Sequence, residues 1–221
     1  MLEMTLQDKA RLISTHIFTG GPVDQFEIIG RLQFALLIRE GLNPDSKTLD
    51  VGCGALRGGF WLIHFLRQGH YHGIEPNKAM VDTALEYLFD PIFIQEKQPQ
   101  IDYNSDFDFS VFGKKLDFFL ARSIWTHASK LQIKKMLDGF KDNSTDGAVF
   151  LTSYLRVSWP FHRDYKGNEW VGKSHESDAP GLVRHKLSWI QAQCASRQLK
   201  VRELDYGIIN RQKWLIISKV S

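Results

Sequence analysis

The residues best suited to chemistry in this sequence are two acidic side chains on either side of a glycine turn. Asp50, Gly52 and Gly54 lie in the stretch TLDVGCG (48–54), and Glu75 follows them by about twenty residues. The pattern predicts a buried strand, a tight turn and an apolar helix, which is the first half of a nucleotide-binding βαβ unit. The two glycines allow a sharp bend and the close approach of a ligand. Glu75 ends the next predicted strand, where an acidic residue binds ribose hydroxyls.

Asp50 distinguishes between the two kinds of adenosine ligand that such a unit binds. It precedes the first glycine by two residues, so its side chain is expected close to the turn. The pyrophosphate of a dinucleotide would meet this carboxylate, and like charges about 4 Å apart repel by roughly 4 kcal/mol at an effective dielectric near 20. S-adenosylmethionine has no phosphate and carries an ammonium and a sulfonium, which a carboxylate attracts. Gly58 also gives the spacing G-x-G-x-x-x-G in place of the dinucleotide pattern G-x-G-x-x-G.

Three segments of the chain resemble the class I S-adenosylmethionine-dependent methyltransferases. They are LDVGCG (49–54), GIEPN (73–77) and LDFFLARSIWTH (116–127), and the resemblance extends over roughly residues 25–220. It implies an α/β fold with a Rossmann-like, seven-stranded, mostly parallel sheet and an antiparallel last strand. Helices are expected on both faces of this sheet, with a helical extension at the N-terminus.

The chain is expected to divide into a helical cap at residues 1–44 and a methyltransferase domain at residues 45–221. Residues 1–24 would either cover the ligand mouth or form a loosely attached arm. Residues 157–181 have no sustained periodicity and are rich in polar, aromatic and glycine residues. Because aromatic residues at this density normally bury area, this long loop is predicted to be a lid over the substrate.

The cofactor contacts are predicted from position and from the resemblance. In the resembled family the turn after the third strand faces the adenine, which implies that Asp106 accepts a hydrogen bond from the adenine amine and that Phe107 packs on the ring; the alternative is an ordinary strand edge. Arg57 could reach the methionine carboxylate, or be a solvated surface arginine. Ser123 follows the fourth predicted strand, at the edge where open α/β sheets bind ligands. The predicted cofactor-binding residues are Asp50, Gly52, Cys53, Gly54, Arg57, Glu75, Pro76, Asp106, Phe107 and Ser123.

His127 is the predicted catalytic residue. The sulfonium of the cofactor is already an activated electrophile, so alignment of the reactants can supply ~7–11 kcal/mol without an acid or base. A hydroxyl acceptor gains a further factor of roughly 10²–10⁴ from a general base. His127 ends the fourth-strand motif and has an ordinary pKa of about 6.5; alternatively it orients the substrate or holds the loop to the sheet. His162, Asp164 and His175 in the predicted lid are weaker candidates.

The composition is that of a soluble globular protein and makes no case for a nucleic-acid partner. Hydrophobic residues make up 43% and charged residues 24% of the chain, as in soluble domains. The net charge of +3 makes no case for nucleic acid, and ARSIWTH (121–127) lacks the Asn/Asp-Pro-Pro-aromatic run of enzymes that methylate DNA-base amines. Two cysteines are too few for a zinc cluster or disulfide framework, so no metal and a cytoplasmic location are expected. Neither a signal peptide nor a membrane span is expected.

Two other functions stay open at this point. One is a non-catalytic S-adenosylmethionine-binding scaffold, which would bind the cofactor in the same way but form no S-adenosylhomocysteine. The other is a dinucleotide-dependent oxidoreductase, against which Asp50 and the glycine spacing argue. The methyl acceptor is expected to be a small molecule, ahead of a protein side chain or RNA, and the oligomeric state is undetermined.

Three local expectations complete the prediction. Pro91 is expected to end a helix, with residues 92–100 forming a loop or a short irregular strand. Residues 143–147 are expected to form a turn before a fifth strand. Gly30 lies within a predicted helix, where it costs up to ~1 kcal/mol against alanine; it indicates either close packing or a tolerated glycine.

Overall fold

A computed structural model describes residues 4–158, 160–172, 181–208 and 211–220. Its strands are β1 (Thr48–Val51), β2 (Tyr71–Ile74), β3 (Gln100–Asp102), β4 (Leu116–Ala121), β5 (Ser144–Tyr154), β6 (Leu199–Glu203) and β7 (Lys213–Lys219). They form a seven-stranded sheet in the order β3-β2-β1-β4-β5-β7-β6. β2 pairs in parallel with β1 and β3, and β4 pairs in parallel with β5, whereas β7 runs antiparallel to both of its neighbours. The predicted fold class is confirmed.

The chain forms two compact units, one ending at Tyr103 and the other beginning at Asn104. The predicted division into a cap at residues 1–44 and a domain at residues 45–221 stays a prediction. None of the helices within the described stretches is long and apolar enough to cross a membrane.

The first unit aligns the carboxyl ends of β1 and β2. All four residues of each strand are buried, as is usual for a parallel sheet that is covered on both faces. Asp50 lies opposite Gly73 and Val51 opposite Ile74 in the parallel register. The glycine turn after β1 and the acidic residue after β2, Glu75, therefore lie at the same edge of the sheet.

The described residues of the first unit form five α-helices, of which the first, fourth and fifth have a side-chain N-cap. They are α1 (Leu6–Ser14), α2 (Phe26–Arg39), α3 (Gly59–Phe65), α4 (Lys78–Leu88) and α5 (Pro91–Lys97). The expectation of a loop or short strand directly after Pro91 is wrong, because α5 begins there. The Asp90 side chain accepts hydrogen bonds from the N–H groups of Ile92 and Phe93 at 2.8 and 3.4 Å, and a proline fits the first turn of a helix.

The second unit contains helices α6 (Lys130–Asn143) and α7 (Leu187–Ala195). Ser129 caps α6 in a capping box with Gln132. The expected turn at residues 143–147 is wrong, because β5 begins at Ser144. Leu116 pairs with Ser144 but Phe118 with Val149, so the polar run enters the strand as a bulge-like irregularity.

Aromatic side chains form the core beneath the carboxyl end of β4. Phe119 packs edge-on against Phe140 with ring centroids 5.0 Å apart, and Trp125 packs perpendicular to Phe150 at 6.0 Å. All four side chains are fully buried. Edge-to-face pairs of this kind contribute about 0.5–1.5 kcal/mol beyond their buried area. They help to hold the segment after β4, which contains Trp125, against the core.

Candidate functional site

The glycine turn of the first unit has a backbone conformation that needs glycine. Gly52 and Gly54 have φ of +67° and +54°, in the left-handed region that side chains other than glycine rarely adopt. The N–H groups of Gly52 and Cys53 both donate to the carbonyl of Ile74, at 2.8 and 3.1 Å. These bonds fix the turn to the end of β2, the strand that leads directly into Glu75.

Glu75 connects the glycine turn to the start of α4. Its Oε2 atom accepts a hydrogen bond from the Gly54 N–H at 3.1 Å, and its Oε1 atom accepts one from the Asn77 N–H at 3.0 Å. Burial raises the pKa of Glu75 to about 7, against the lowering effect of these two hydrogen bonds. The two main-chain N–H groups therefore fix the orientation of the Glu75 carboxyl group at the end of β2.

Asp50 is a buried carboxyl group that receives a hydrogen bond from a neighbouring strand. It is 4% exposed, and the Tyr71 hydroxyl donates to its Oδ2 atom at 3.1 Å. Burial raises the pKa of Asp50 to about 7, the Tyr71 hydrogen bond lowers it in part, and the charge of Glu75 raises it further. Among the described residues no cation pairs with Asp50, so a positively charged ligand would favour its ionised form.

Cys53 lies in the interior of the turn. Its thiol is buried, and burial raises its pKa well above the usual value, so it is not a nucleophile at neutral pH. A Cβ atom at Gly73 would lie 3.0 Å from the Cys53 sulfur and 2.8 Å from the side chain of Ile101. Close packing therefore requires a glycine in β2 opposite Asp50.

Arg57 contacts the segment that precedes α2. Its guanidinium donates to the carbonyl oxygens of Gly20 at 2.7 Å, Gly21 at 3.2 Å and Thr19 at 3.3 Å. It is 6% exposed and lies over the ring of Phe26 at 5.1 Å, so it is not the solvated surface arginine of the alternative. Its predicted contact with a methionine carboxylate stays a prediction.

Pro76 leads from Glu75 into α4. It is half-buried, and its carbonyl accepts a hydrogen bond from the Lys78 N–H at 3.1 Å. Asn77 then caps the helix by accepting from the Met80 N–H at 3.1 Å. Pro76 thus shapes the chain directly beside the Glu75 carboxylate, and its contact with a cofactor stays a prediction.

In the second unit, Ser123 is held in a left-handed conformation by a closed set of hydrogen bonds. Its φ is +63°, and its N–H donates to the Ser153 hydroxyl oxygen at 2.8 Å. The Ser153 hydroxyl donates to Gln212 Oε1 at 2.7 Å, and Gln212 Nε2 donates to the Ser123 Oγ atom at 2.9 Å. The Thr126 hydroxyl donates to the Ser123 carbonyl at 2.8 Å, which leaves the Ser123 hydroxyl to donate to Thr126 Oγ1 at 3.0 Å.

His127 is fixed to the predicted lid. Its Nδ1 atom lies 2.6 Å from the Val171 carbonyl, and the Val171 N–H donates to the His127 carbonyl at 2.9 Å. Since a carbonyl oxygen only accepts, Nδ1 carries the proton and Nε2 of the neutral ring keeps its lone pair. Burial lowers the pKa of His127 from its usual 6.5, and the Val171 hydrogen bond opposes this in part. The ring also stacks on Trp170 at 5.4 Å.

Further contacts join Asp164 of the predicted lid, and residues just after the lid, to the segment from Thr126 to Lys130. Lys130 forms an ion pair with Asp164 at 2.5 Å, and both side chains are largely buried. The Val183 N–H donates to the Thr126 carbonyl at 2.8 Å, and His185 Nε2 lies 3.1 Å from the Ala128 carbonyl. Residues 159 and 173–180, which include the candidate His175, lie outside the described residues.

The predicted adenine residues lie in an exposed segment of the second unit. Asp106 forms an ion pair with Lys135 at 2.9 Å, with both side chains at least half exposed. Phe107 has φ of +59°, and its ring lies 6.4 Å from that of Trp170. The Trp170 ring thus contacts the rings of both Phe107 and His127, and the contacts of Asp106 and Phe107 with adenine stay a prediction.

Sequence reasoning missed two residues that support the site, Tyr71 and Gln212. Tyr71 lies in a buried strand, where a hydroxyl group gives no signal of the carboxyl group it contacts. Gln212 lies directly before β7, 89 residues from Ser123, and no spacing rule connects them. Both are polar side chains beside apolar runs, and this is the signal that marks them for attention.

The fold can now be compared with known proteins. No protein-family model matches the sequence. The chain is similar to magnesium protoporphyrin IX methyltransferase from Synechocystis PCC 6803 with bound SAH, at 15% identity and a TM-score of 0.63, over 96% of this chain and 93% of that one. It is similar to an S-adenosylmethionine-dependent methyltransferase from Clostridium acetobutylicum ATCC 824, at 11% identity and a TM-score of 0.63, over 96% of both chains. A DhpI–SAH complex matches at 9% identity and a TM-score of 0.64, over 96% and 93%.

These similarities extend over nearly the whole length of both chains in each pair. They show that this chain has the fold of the S-adenosylmethionine-dependent methyltransferases.

Proposed function

We propose that this protein is an S-adenosylmethionine-dependent methyltransferase. The observation that carries the proposal is the buried Asp50 carboxyl group at the carboxyl end of β1, which has no cationic partner among the described residues. The fold, the two left-handed glycines and the bound SAH of the similar structures support it. A cofactor that brings positive charge fits this site better than one that brings phosphates.

The first unit would bind the two ends of the cofactor. Glu75 would accept hydrogen bonds from the ribose hydroxyls, since its two oxygens are already oriented by Gly54 and Asn77. Asp50 would attract the ammonium group, and Gly52 and Gly54 would allow the ligand to approach the backbone. In the second unit Asp106, Phe107 and Ser123 are the proposed contacts.

When bound, the cofactor supplies an electrophilic methyl group on a sulfonium. The chain's own part is to align an acceptor with it and to remove a proton. His127 would accept that proton at Nε2, because its other ring nitrogen already donates to Val171. Its lowered pKa keeps the ring neutral at pH 7, which is the form that a general base requires.

The acceptor is proposed to be a small molecule. The described lid residues pack on the segment from Thr126 to Lys130 through main-chain hydrogen bonds and a largely buried ion pair. Trp170 and Phe107 add an aromatic surface beside His127. An ordered aromatic loop of this kind suits an enclosed acceptor better than an extended polymer.

The proposal is tested by calorimetry with S-adenosylhomocysteine, with NAD⁺ as the comparison ligand. We expect binding of S-adenosylhomocysteine and none of NAD⁺. Incubation with S-adenosylmethionine labelled in its methyl group and a cell extract should then transfer label to the low-molecular-weight fraction. Binding of NAD⁺ in preference would overturn the proposal, and cofactor binding with no S-adenosylhomocysteine formed from any fraction would identify a non-catalytic binding protein.

A further inference from the structure

Arg122 is a partly buried cation that no described residue pairs. It follows the last residue of β4 and precedes Ser123, at the strand end where open α/β sheets bind ligands. Its side chain is at most partly exposed. Within the described parts of the chain, its guanidinium makes no hydrogen bond and no ion pair, and burial lowers its pKa to about 10 with no charged neighbour contributing.

Two other arginines of the second unit pair with carboxylates of the protein. Arg197 forms two hydrogen bonds with the carboxylate of Asp138, at 2.6 and 3.1 Å. Arg156 donates to Glu203 at 2.8 Å. A guanidinium that is partly removed from water and has no such partner loses hydration without a compensating ion pair, and perturbed charged groups of this kind cluster at functional sites.

The hydroxyl groups beside Arg122 have no proton to donate to an anion. The Ser123 hydroxyl donates to Thr126 and the Ser153 hydroxyl donates to Gln212. Each hydroxyl group has one proton, so both can only accept from a ligand. An oxyanion at this strand end would therefore depend on Arg122, whose planar guanidinium matches a carboxylate or phosphate with two parallel hydrogen bonds.

We infer that Arg122 binds an oxyanion, a carboxylate or phosphate group, of a ligand in the methyl-transfer site. The inference rests on the proposed function, because it names the chemistry of a ligand for that site. Two ligands could supply the group: the carboxylate at the amino-acid end of the cofactor, or an acidic group on the methyl acceptor.

The experiment compares wild type with Arg122→Gln, Arg122→Lys and the control Arg31→Gln, which removes the same charge from a side chain that is 63% exposed on α2. In the first arm each protein is titrated with S-adenosylhomocysteine and with 5′-methylthioadenosine, which lacks the amino-acid end. If the cofactor supplies the oxyanion, Arg122→Gln weakens S-adenosylhomocysteine at least tenfold and leaves 5′-methylthioadenosine within threefold.

In the second arm the S-adenosylhomocysteine complexes are titrated with inorganic phosphate, benzoate and the neutral benzamide. If the acceptor supplies the oxyanion, wild type binds an anionic probe in preference to benzamide, and Arg122→Gln loses that preference at least tenfold. Arg122→Lys keeps the positive charge, so in either arm it should retain part of the wild-type affinity that Arg122→Gln loses. Arg31→Gln should bind every probe as wild type does.

The thermal midpoint of Arg122→Gln is the final readout. Because an unpaired buried charge does not stabilise the fold, the variant should unfold at or above the wild-type temperature. A variant that does not fold, or affinities for all probes within threefold of wild type, would overturn the inference. If wild type binds no S-adenosylhomocysteine, the proposed function fails, while titration of the ligand-free proteins with the anionic probes still decides the role of Arg122.

Discussion

His127 and Val171 exchange two hydrogen bonds, one from the histidine ring and one from the main chain, across 44 residues of sequence. The ring bond fixes the proton on Nδ1 and leaves Nε2 as an acceptor. The main-chain bond orders the loop at the same point. One residue thus anchors the loop and keeps an unprotonated ring nitrogen, so the loop anchor and the proposed base, which the sequence offered as alternatives, are compatible.

Replacing His127 separates these two roles. His127→Asn retains an N–H group that can reach the Val171 carbonyl but lacks a base, whereas His127→Ala removes both. We expect each variant to lower kcat by roughly 10²–10⁴ and only His127→Ala to expose the loop to proteolysis. Since the pKa of His127 is lowered from 6.5, wild-type kcat should fall as the pH decreases through that lowered pKa. A rate within a few-fold of wild type across pH 6–9 would remove His127 from the chemistry.

Glu75 is expected to control cofactor affinity. Glu75→Ala and Asp50→Ala should each abolish binding of S-adenosylmethionine, because they remove the ribose acceptor and the partner of the ammonium. In the milder variant Glu75→Gln, the amide N–H₂ group faces one of the two main-chain N–H groups that donate to Glu75, so one donor loses its acceptor. Cofactor affinity should therefore fall at least tenfold. The control is Asp82→Asn, an exposed carboxylate on α4 that pairs with Lys78. Unchanged calorimetric affinity in both alanine variants would contradict the assignment.

The raised pKa values of Asp50 and Glu75, both about 7, predict how affinity and stability change with pH. An acid whose pKa rises on folding stabilises the fold only while protonated, so the stability of the ligand-free protein should decrease as pH rises from about 4 to 7. Asp50→Asn should reduce this decrease by on the order of 2–4 kcal/mol. Affinity for the cationic cofactor should change in the opposite sense, falling up to about tenfold per pH unit below pH 7 for each proton released.

These two effects are measured separately. Urea unfolding at pH 5 and pH 8 gives the change in stability for wild type and Asp50→Asn. Calorimetry of S-adenosylhomocysteine binding in buffers of different ionisation enthalpy gives the number of protons released. A ligand-free stability that rises between pH 4 and 7, with no proton release on binding, would show that neither acid has a raised pKa.

The ion pair of Lys130 with Asp164 is expected to order the lid without affecting the cofactor. Asp164 also accepts a hydrogen bond from the Lys186 N–H at 3.2 Å, so Asp164→Ala removes two contacts to a largely buried carboxylate. We expect faster proteolysis of the loop and reduced turnover with unchanged S-adenosylhomocysteine affinity. Glu169→Ala, an exposed position in the same loop, is the control. Deletion of residues 160–178 should leave cofactor binding unchanged and abolish turnover. A deletion variant that is still active would refute the prediction that this loop is a substrate lid.

Gly30 decides how closely α2 approaches the turn that follows β1. A Cβ atom there would lie 2.4 Å from the Arg57 carbonyl oxygen and 2.8 Å from the Trp61 indole nitrogen. Gly30→Ala should therefore destabilise the protein by about 1–3 kcal/mol or more, although alanine favours helices. Gly147→Ala, where nothing lies within 4 Å of the added carbon, is the control. Equal unfolding midpoints for the two variants would mean that Gly30 is merely tolerated.

Local sequence signals predicted most elements because strands, turns and caps depend on neighbouring residues. β1 is the buried strand expected before the glycine turn, and β4 is the strand expected before Ser123. The errors arose where one signal has two meanings. The helix before Pro91 ends at Leu88 as expected, but Pro91 also begins a helix behind the capping Asp90, where a loop was expected. The polar run after α6 was expected to turn, but pairing of Ser144 with Leu116 extends β5 into it.

The sequence by itself determined the fold class, the glycine turn and the acidic residues that flank it. These follow from periodicity and from backbone conformations that only glycine adopts readily. The tertiary structure decided which groups are satisfied and which are not. In the folded chain Arg57 donates hydrogen bonds to three carbonyl oxygens, and Gln212 donates one to Ser123. The Val171 carbonyl fixes the proton of His127 on Nδ1, and Arg122 has no partner among the described residues. Burial and hydrogen bonds between distant segments determine how these side chains are paired and protonated, and neither can be predicted from neighbouring residues in the sequence.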